Sequence, residues 1–275
     1  MKKTVLISGC TSGIGKSLAQ KMAAQGHHVY AGARNIADLA GLAENITPVK
    51  LDVNNSQDII NAMSLIKKDH DHLDILVNNA GYGAMGPLVE VPISQVKAQF
   101  ETNVFAPLNM AQLALPLLRK NKGLIVNVGS SAGIFTVPFS GVYCASKAAI
   151  HALSEVLRME VAPFKVRVMT VYPGAIASAF GDNAAAKLKD TLAENSLYSS
   201  VMPAVEKRAR VSSNSPTTPE MFANKLMSLM LSKRPPFNVG IGHGSRAMPW
   251  AKKLLPTKLR EYLMAKAYLL NSLKA

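Results

Sequence analysis

The chain has only two cysteines in 275 residues, Cys10 and Cys144, too few for a disulfide framework. Both read as reduced thiols of an intracellular, cytoplasmic protein. It lacks any apolar run of the roughly 18 residues that a spanning helix needs. The start, Met1-Lys2-Lys3 followed by Thr4–Ile7, resembles a signal peptide, but its apolar run stops at Ser8-Gly9 and no small-residue cleavage site follows. Charged residues make up only 17%, and no tract has a disordered composition. Zinc-finger spacing, a basic heptad region and an aromatic RNA-binding signature are all missing, which argues against a nucleic-acid partner. The histidines at 27, 28, 70, 72, 151 and 243 fall at no metal-ligand spacing, so no metal is expected and they read as surface or packing residues. The net charge of +14 then has two readings: a merely basic surface, or an anionic partner such as a phosphate-bearing cofactor or a membrane surface.

What is present is an alternation. Apolar runs at Thr4–Ser8, His28–Gly32, Thr47–Leu51, Leu73–Val77, Leu124–Val128 and Val166–Val171 read as strands, and Phe237–Ile241 as a last one. Helical patterns lie between them at Ile14–Gln25, Ile36–Glu44, around Ile59–Ile66, at Ser94–Arg119, Val142–Val161 and Met221–Leu231. Continuous apolar strands alternating with helices predict an α/β fold, a doubly wound parallel sheet in one domain over residues 1–244. Between 175 and 219 the pattern weakens, which predicts an irregular substrate lid. Residues 245–275 read as a basic amphipathic extension, broken into two helices at Pro256.

Gly9-Cys10-Thr11-Ser12-Gly13-Ile14-Gly15 joins the first strand to the first helix. Glycines permit a tight turn and close approach of a pyrophosphate, and the helix N-terminus offers free N–H groups. Its G-x-x-x-G-x-G spacing differs from the usual dinucleotide fingerprint. Tyr143 and Lys147 are four residues apart on one helical face, and an ammonium beside a phenol lowers the phenol's pKa. Ser130 ends the strand before that helix, at the sheet edge where a cofactor binds.

With Asp52-Val53, Asn78-Asn79-Ala80-Gly81, Asn103 and Pro173-Gly174 in order, residues 3–242 resemble the classical short-chain dehydrogenase/reductase family. Ser8 stands where that family more often has threonine. The resemblance implies a Rossmann-type sheet and a dinucleotide held by Gly9, Thr11, Ser12, Gly13, Ile14, Gly15, Asp52, Val53, Asn79, Ala80, Gly81, Pro173, Gly174 and Ile176. It implies that Ser130 binds the substrate oxygen, with Ser131 as its rival, and that Tyr143 is the acid/base. Lys147 also binds the nicotinamide ribose. Asn103 holds a proton-relay water, or else bonds local backbone as a helix-interior asparagine does. The second strand ends Ala33-Arg34, and an arginine there accepts the 2′-phosphate, so NADP(H) is expected over NAD; Asp38 comes too late in the chain.

Substrate contacts are expected from Met85, Leu88, Ile134, Phe135, Val137, Phe139, Ile176, Phe180, Leu197, Tyr198 and Met202, a largely apolar set that suits a lipophilic ketone or alcohol: a steroid, retinoid or acyl lipid. The extended C-terminus makes the chain most similar to the hydroxysteroid dehydrogenase and acyl-dihydroxyacetone-phosphate reductase branch. Two other classes remain, a non-catalytic nucleotide-binding regulator and a binding module for membranes or nucleic acid suggested by the charge, both opposed by the intact Ser130, Tyr143 and Lys147; within the enzyme reading, an NAD-preferring alcohol dehydrogenase is opposed by Arg34. The apolar face of 245–275 either packs on the domain or a second subunit, or lies in a membrane interface.

Overall fold

The computed structural model describes residues 2–188, 195–213 and 215–273. Seven strands, β1 (Thr4–Ser8), β2 (His28–Ala33), β3 (Ile46–Lys50), β4 (Ile75–Asn78), β5 (Leu124–Val128), β6 (Arg167–Pro173) and β7 (Asn238–Ile241), form one sheet in the order β3-β2-β1-β4-β5-β6-β7. Every pairing is parallel. This is the Rossmann-type architecture expected from the alternation. The order reverses between β1 and β4, which opens a crevice beyond their C-terminal ends.

Side chains alternate across each strand, so a strand buried on both faces feeds two cores. In β1, Val5 and Ile7 pack with Leu18 and Met22 of α1 (Gly13–Ala24) and with Phe222 and Leu226 of α8 (Pro219–Met230). Leu6 points the other way, onto Ile59 and Ile66 of α2 (Ser56–His70) and Met110 and Leu118 of α4 (Ala106–Lys120). Each such fully buried side chain contributes about 1.5–3 kcal/mol of transfer free energy.

Two local expectations are corrected. The helix expected over Ile36–Glu44 is only a 3₁₀ turn at Ile36–Leu39: Asn35 caps it by accepting from the Ala37 N–H at 3.1 Å, and Gly41 at φ 77° diverts the chain soon after. The helical region expected over Ser94–Arg119 is present as α3 (Ile93–Phe100), a π-helical turn at Glu101–Phe105, and α4. The described residues of 175–219 are not irregular. They hold α6 (Phe180–Leu188) and α7 (Met202–Ala209), joined to α8 (Pro219–Met230), where Thr218 accepts from the Met221 N–H at 3.2 Å. Their buried faces are short and mixed, Gly181, Ala184 and Leu188 in α6 and Ala204, Val205, Arg208 and Ala209 in α7, so they leave little hydrophobic periodicity in the sequence. The helix α5 (Gly141–Val161) carries the tyrosine–lysine pair. The last helices, α9 (Ala247–Leu254) and α10 (Thr257–Ala267), flank Pro256 as expected.

Candidate active site

The turn after β1 is held from two directions. Gly9 and Gly13 have φ of 72° and 55°, conformations costly for any other residue. The Ser8 hydroxyl accepts from the N–H groups of Asn79 and Ala80, each at 3.0 Å. In return the Asn79 amide donates to the carbonyls of Ser8 and Gly9, at 2.9 and 3.1 Å. The exits of β1 and β4 are therefore one hydrogen-bonded unit, and the hydroxyl at position 8 is what matters, whichever residue supplies it. Cys10 faces inward, its thiol donating to the Ile7 carbonyl at 3.1 Å, and burial pushes its pKa up to about 12.

A cavity of about 1050 Å³ runs along these strand ends. Gly9, Thr11, Ser12, Gly13, Ile14, Arg34, Asp52, Val53, Asn79, Ala80, Gly81, Ser130, Tyr143, Lys147, Pro173, Gly174 and Ile176 all line it. Two of the expected residues do not. Gly15 sits behind the turn, where a Cβ would strike the Gly9 carbonyl oxygen. Asn103, in the π-helical turn, is buried with its side chain fully engaged. Its amide donates to the Tyr82 carbonyl at 2.9 Å and to the Ser146 hydroxyl at 3.1 Å, and its oxygen accepts from the Tyr82 N–H at 3.2 Å. Those bonds fix the loop after β4, beside Gly81.

These features suit a dinucleotide: glycine-built backbone and a helix N-terminus for the phosphates, with Gly81 and Lys147 further along the same wall. At the adenosine end Arg34 is exposed and forms no ion pair with the described residues. Asp38 also lines the cavity, contrary to the expectation that it comes too late; the 3₁₀ turn folds it back, and the Asn35 amide donates to it at 3.3 Å.

The catalytic candidates converge in the middle. Tyr143 is buried against Phe180, with ring centroids 5.4 Å apart. Burial raises its pKa, and a hydrogen bond with Ser130 and the charge of Arg208 oppose the rise. Lys147, expected to be the group that lowers it, instead donates from Nζ to the Val128 carbonyl at 2.8 Å. Burial pulls Lys147 down to about 8. Ser131 lines the cavity too, but Ser130 is the serine that bonds Tyr143.

His151, read from the sequence as surface or packing, is buried under this turn, where Nε2 accepts from the Ser130 N–H at 3.2 Å. Burial, then the Lys147 charge, lowers its pKa to about 4, so it is neutral and able to accept. The glycines at 129 and 133 leave room for its ring, a signal present in the sequence but silent without the fold.

Of the expected substrate contacts, Met85, Phe135, Val137, Ile176 and Phe180 line the cavity. Leu88, Ile134, Phe139, Leu197, Tyr198 and Met202 do not: Leu88 and Leu197 are exposed, and Phe139 packs with Tyr198 and Met202 in a separate cluster. Arg208 and Tyr268 join the lining unannounced by any motif. Tyr268 arrives from the C-terminal stretch and meets Phe139 edge-on at 6.0 Å.

The family model described as short chain dehydrogenase matches residues 3–189. A 3-ketodihydrosphingosine reductase from Bacteroides thetaiotaomicron is 31% identical, over 94% of this chain and 96% of its own. An NADPH-dependent 1-acyldihydroxyacetone phosphate reductase from Saccharomyces cerevisiae is 32% identical, over 98% and 92%. Among solved structures, a short-chain dehydrogenase from Streptomyces avermitilis superposes with a TM-score of 0.79 at 25% identity, covering 99% of this chain and 98% of that one.

Proposed function

Because the chain belongs to the short-chain dehydrogenase family, we propose that it is an NADP(H)-dependent oxidoreductase interconverting a lipophilic ketone and its secondary alcohol. One observation carries this reading: the Tyr143 hydroxyl bonded to Ser130, with Lys147 near by, on the wall of the cavity that the glycine turn opens. Bound NADPH supplies the hydride. In ketone reduction negative charge grows on the substrate oxygen, which Ser130 stabilises by donating a hydrogen bond. Tyr143 gives that oxygen a proton. Its raised pKa keeps the hydroxyl protonated at neutral pH, as an acid must be. The Lys147 ammonium bonds the cofactor ribose and favours the phenolate once the proton has left. His151 and Asn103 act through others, holding the Ser130 turn and the Tyr82 loop. Helices α6 and α7 serve as the cover over bound substrate. A coupled assay following NADPH oxidation with long-chain ketones tests the activity.

Cofactor choice rests on Arg34. NADPH binds better than NADH by about 1.5–3 kcal/mol, the worth of a charge-assisted hydrogen bond to the 2′-phosphate. Arg34→Ala removes most of that difference and leaves NADH affinity nearly unchanged. The supporting likeness is the yeast relative, NADPH-dependent by name. Equal titration curves for the two cofactors in the unmodified protein contradict the assignment.

The protein works in the cytoplasm, in contact with an anionic membrane surface. In α9 and α10 no residue is buried, and Trp250, Leu254 and Tyr262 are exposed among Lys252, Lys253, Lys258 and Arg260. No helix among the described residues is long and apolar enough to cross a membrane. Each basic side chain near an anionic surface adds about 1 kcal/mol. The protein floats with phosphatidylserine vesicles at low salt, and a chain ending at Gly244 does not. Recovery of the full protein in the unbound fraction refutes membrane contact.

A further inference from the structure

Arg208, on the inner face of α7, is only 7% exposed and lines the cavity beside Tyr143 and Tyr268. Its Nε is buried without a hydrogen-bond partner, and it forms no ion pair with the described residues. Among the described residues, the acids that might have answered it are elsewhere. Asp182 is held by Arg210 at 3.0 Å, and Glu206 on the same helix faces solvent. The acids of the cavity wall are Asp38, Asp52 and Glu101. Asp38 belongs to the turn after β2, and the other two flank the Asn54–Thr102 hydrogen bond on the adenosine side. The substrate end is thus walled by Met85, Phe135, Val137 and Phe180, and of the two buried cations on the cavity wall Lys147 is bonded to the Val128 carbonyl while Arg208 has no such partner.

A guanidinium removed from water without a counter-charge is unfavourable, because nothing offsets its lost hydration. Such a group is tolerated where a ligand brings the missing charge. Arg208 lines the same cavity as Tyr143 and Tyr268, and its charge opposes the rise that burial imposes on the pKa of Tyr143, Cys144 and Tyr268, so the charge lies near the catalytic hydroxyl. We propose that Arg208 is the receptor for an oxyanion on the substrate, a phosphate or carboxylate close to the reacting carbonyl. This rests on the reading of the protein as a ketone reductase and narrows it: the substrate is an anionic lipid ketone, not a neutral one. The planar fork of arginine bonds either oxyanion through two parallel N–H groups. An amino ketone, carrying positive charge, is repelled.

The test compares kcat/KM for NADPH-dependent reduction of four compounds by the full chain. They are an acylated dihydroxyacetone phosphate, its dephosphorylated counterpart, a long-chain 3-oxo acid and a long-chain amino ketone. An anionic ketone is preferred over the neutral one by about 100-fold, the scale of a buried charge pair. Whether the phosphate or the carboxylate leads identifies the oxyanion. In Arg208→Gln the anionic-to-neutral ratio collapses to a few-fold, and Arg208→Lys, with charge but no fork, restores part of it. NADPH binding by each variant reports that it is folded. The comparison in the unmodified protein stands even if a variant fails to fold. Equal kcat/KM for neutral and anionic ketones, or preference for the amino ketone, overturns the receptor and leaves the oxidoreductase standing. Absence of turnover with all four compounds overturns both.

Discussion

Replacing Tyr143 with phenylalanine lowers ketone reduction at least ~100-fold, the usual cost of losing a general acid. The ring and its contact with Phe180 survive, so NADPH affinity and thermal unfolding stay close to those of the unmodified protein. The pH dependence of the unmodified enzyme follows from the same group. Reduction needs the proton on Tyr143, and burial raises its pKa, so the hydroxyl is competent throughout the neutral range. Lys147 titrates earlier on the alkaline side, its pKa lowered to about 8 by burial. As pH rises through that value the ammonium is lost, and kcat/KM for reduction falls. A pH–rate profile of kcat/KM reports these free-enzyme groups. Near-normal turnover in Tyr143→Phe removes Tyr143 from the mechanism.

Gly15→Ala acts through packing, not chemistry. A Cβ at Gly15 strikes the Gly9 carbonyl oxygen and lies 2.6 Å from the Asn79 amide nitrogen. The obstacle is backbone, together with the amide that ties β4 to the turn, so the turn itself has to move. Overpacking of this kind costs about 1–3 kcal/mol of stability. Displacing the turn's N–H groups from the phosphates removes about two charge-assisted hydrogen bonds, or roughly 3–5 kcal/mol of dinucleotide affinity. Gly26→Ala is the control: φ is 80° there, a left-handed conformation that Gly15 does not share, but nothing lies within 4 Å of the added Cβ. That variant loses some stability to backbone strain and binds NADPH normally. Calorimetric titration with thermal melts separates the two. NADPH binding by Gly15→Ala at unmodified affinity rules out the packing argument.

The sheet was legible because strands buried on both faces are continuous apolar runs, and the glycine turn because backbone geometry restricts its residues. Tyr143, Lys147 and Ser130 were legible through spacing and position at strand and helix ends. Helices α6 and α7 were not, because their short buried faces mix glycine, alanine and an inward arginine with single larger apolar residues and mark no stripe. Arg208 was illegible for a different reason: in the sequence it is one of several basic residues in Lys207-Arg208-Ala209-Arg210, and only the fold turns it inward while its neighbours face water. His151 likewise needs Gly129 and Gly133 brought over it before it becomes a support for Ser130. Asp38 shows the converse, a residue judged too distant in the chain that a 3₁₀ turn returns to the cavity wall.

The central claim is hydride transfer between NADP(H) and a lipid ketone with Tyr143 as the proton donor. It is tested most directly by incubating the protein with NADPH deuterated at the transferable position and a long-chain ketone, then analysing the product by mass spectrometry. The account predicts a secondary alcohol carrying one deuterium on the carbinol carbon, formed by the unmodified protein and at a rate at least ~100-fold lower by Tyr143→Phe. Alcohol without deuterium, or no alcohol from any long-chain ketone while NADPH binds, contradicts it.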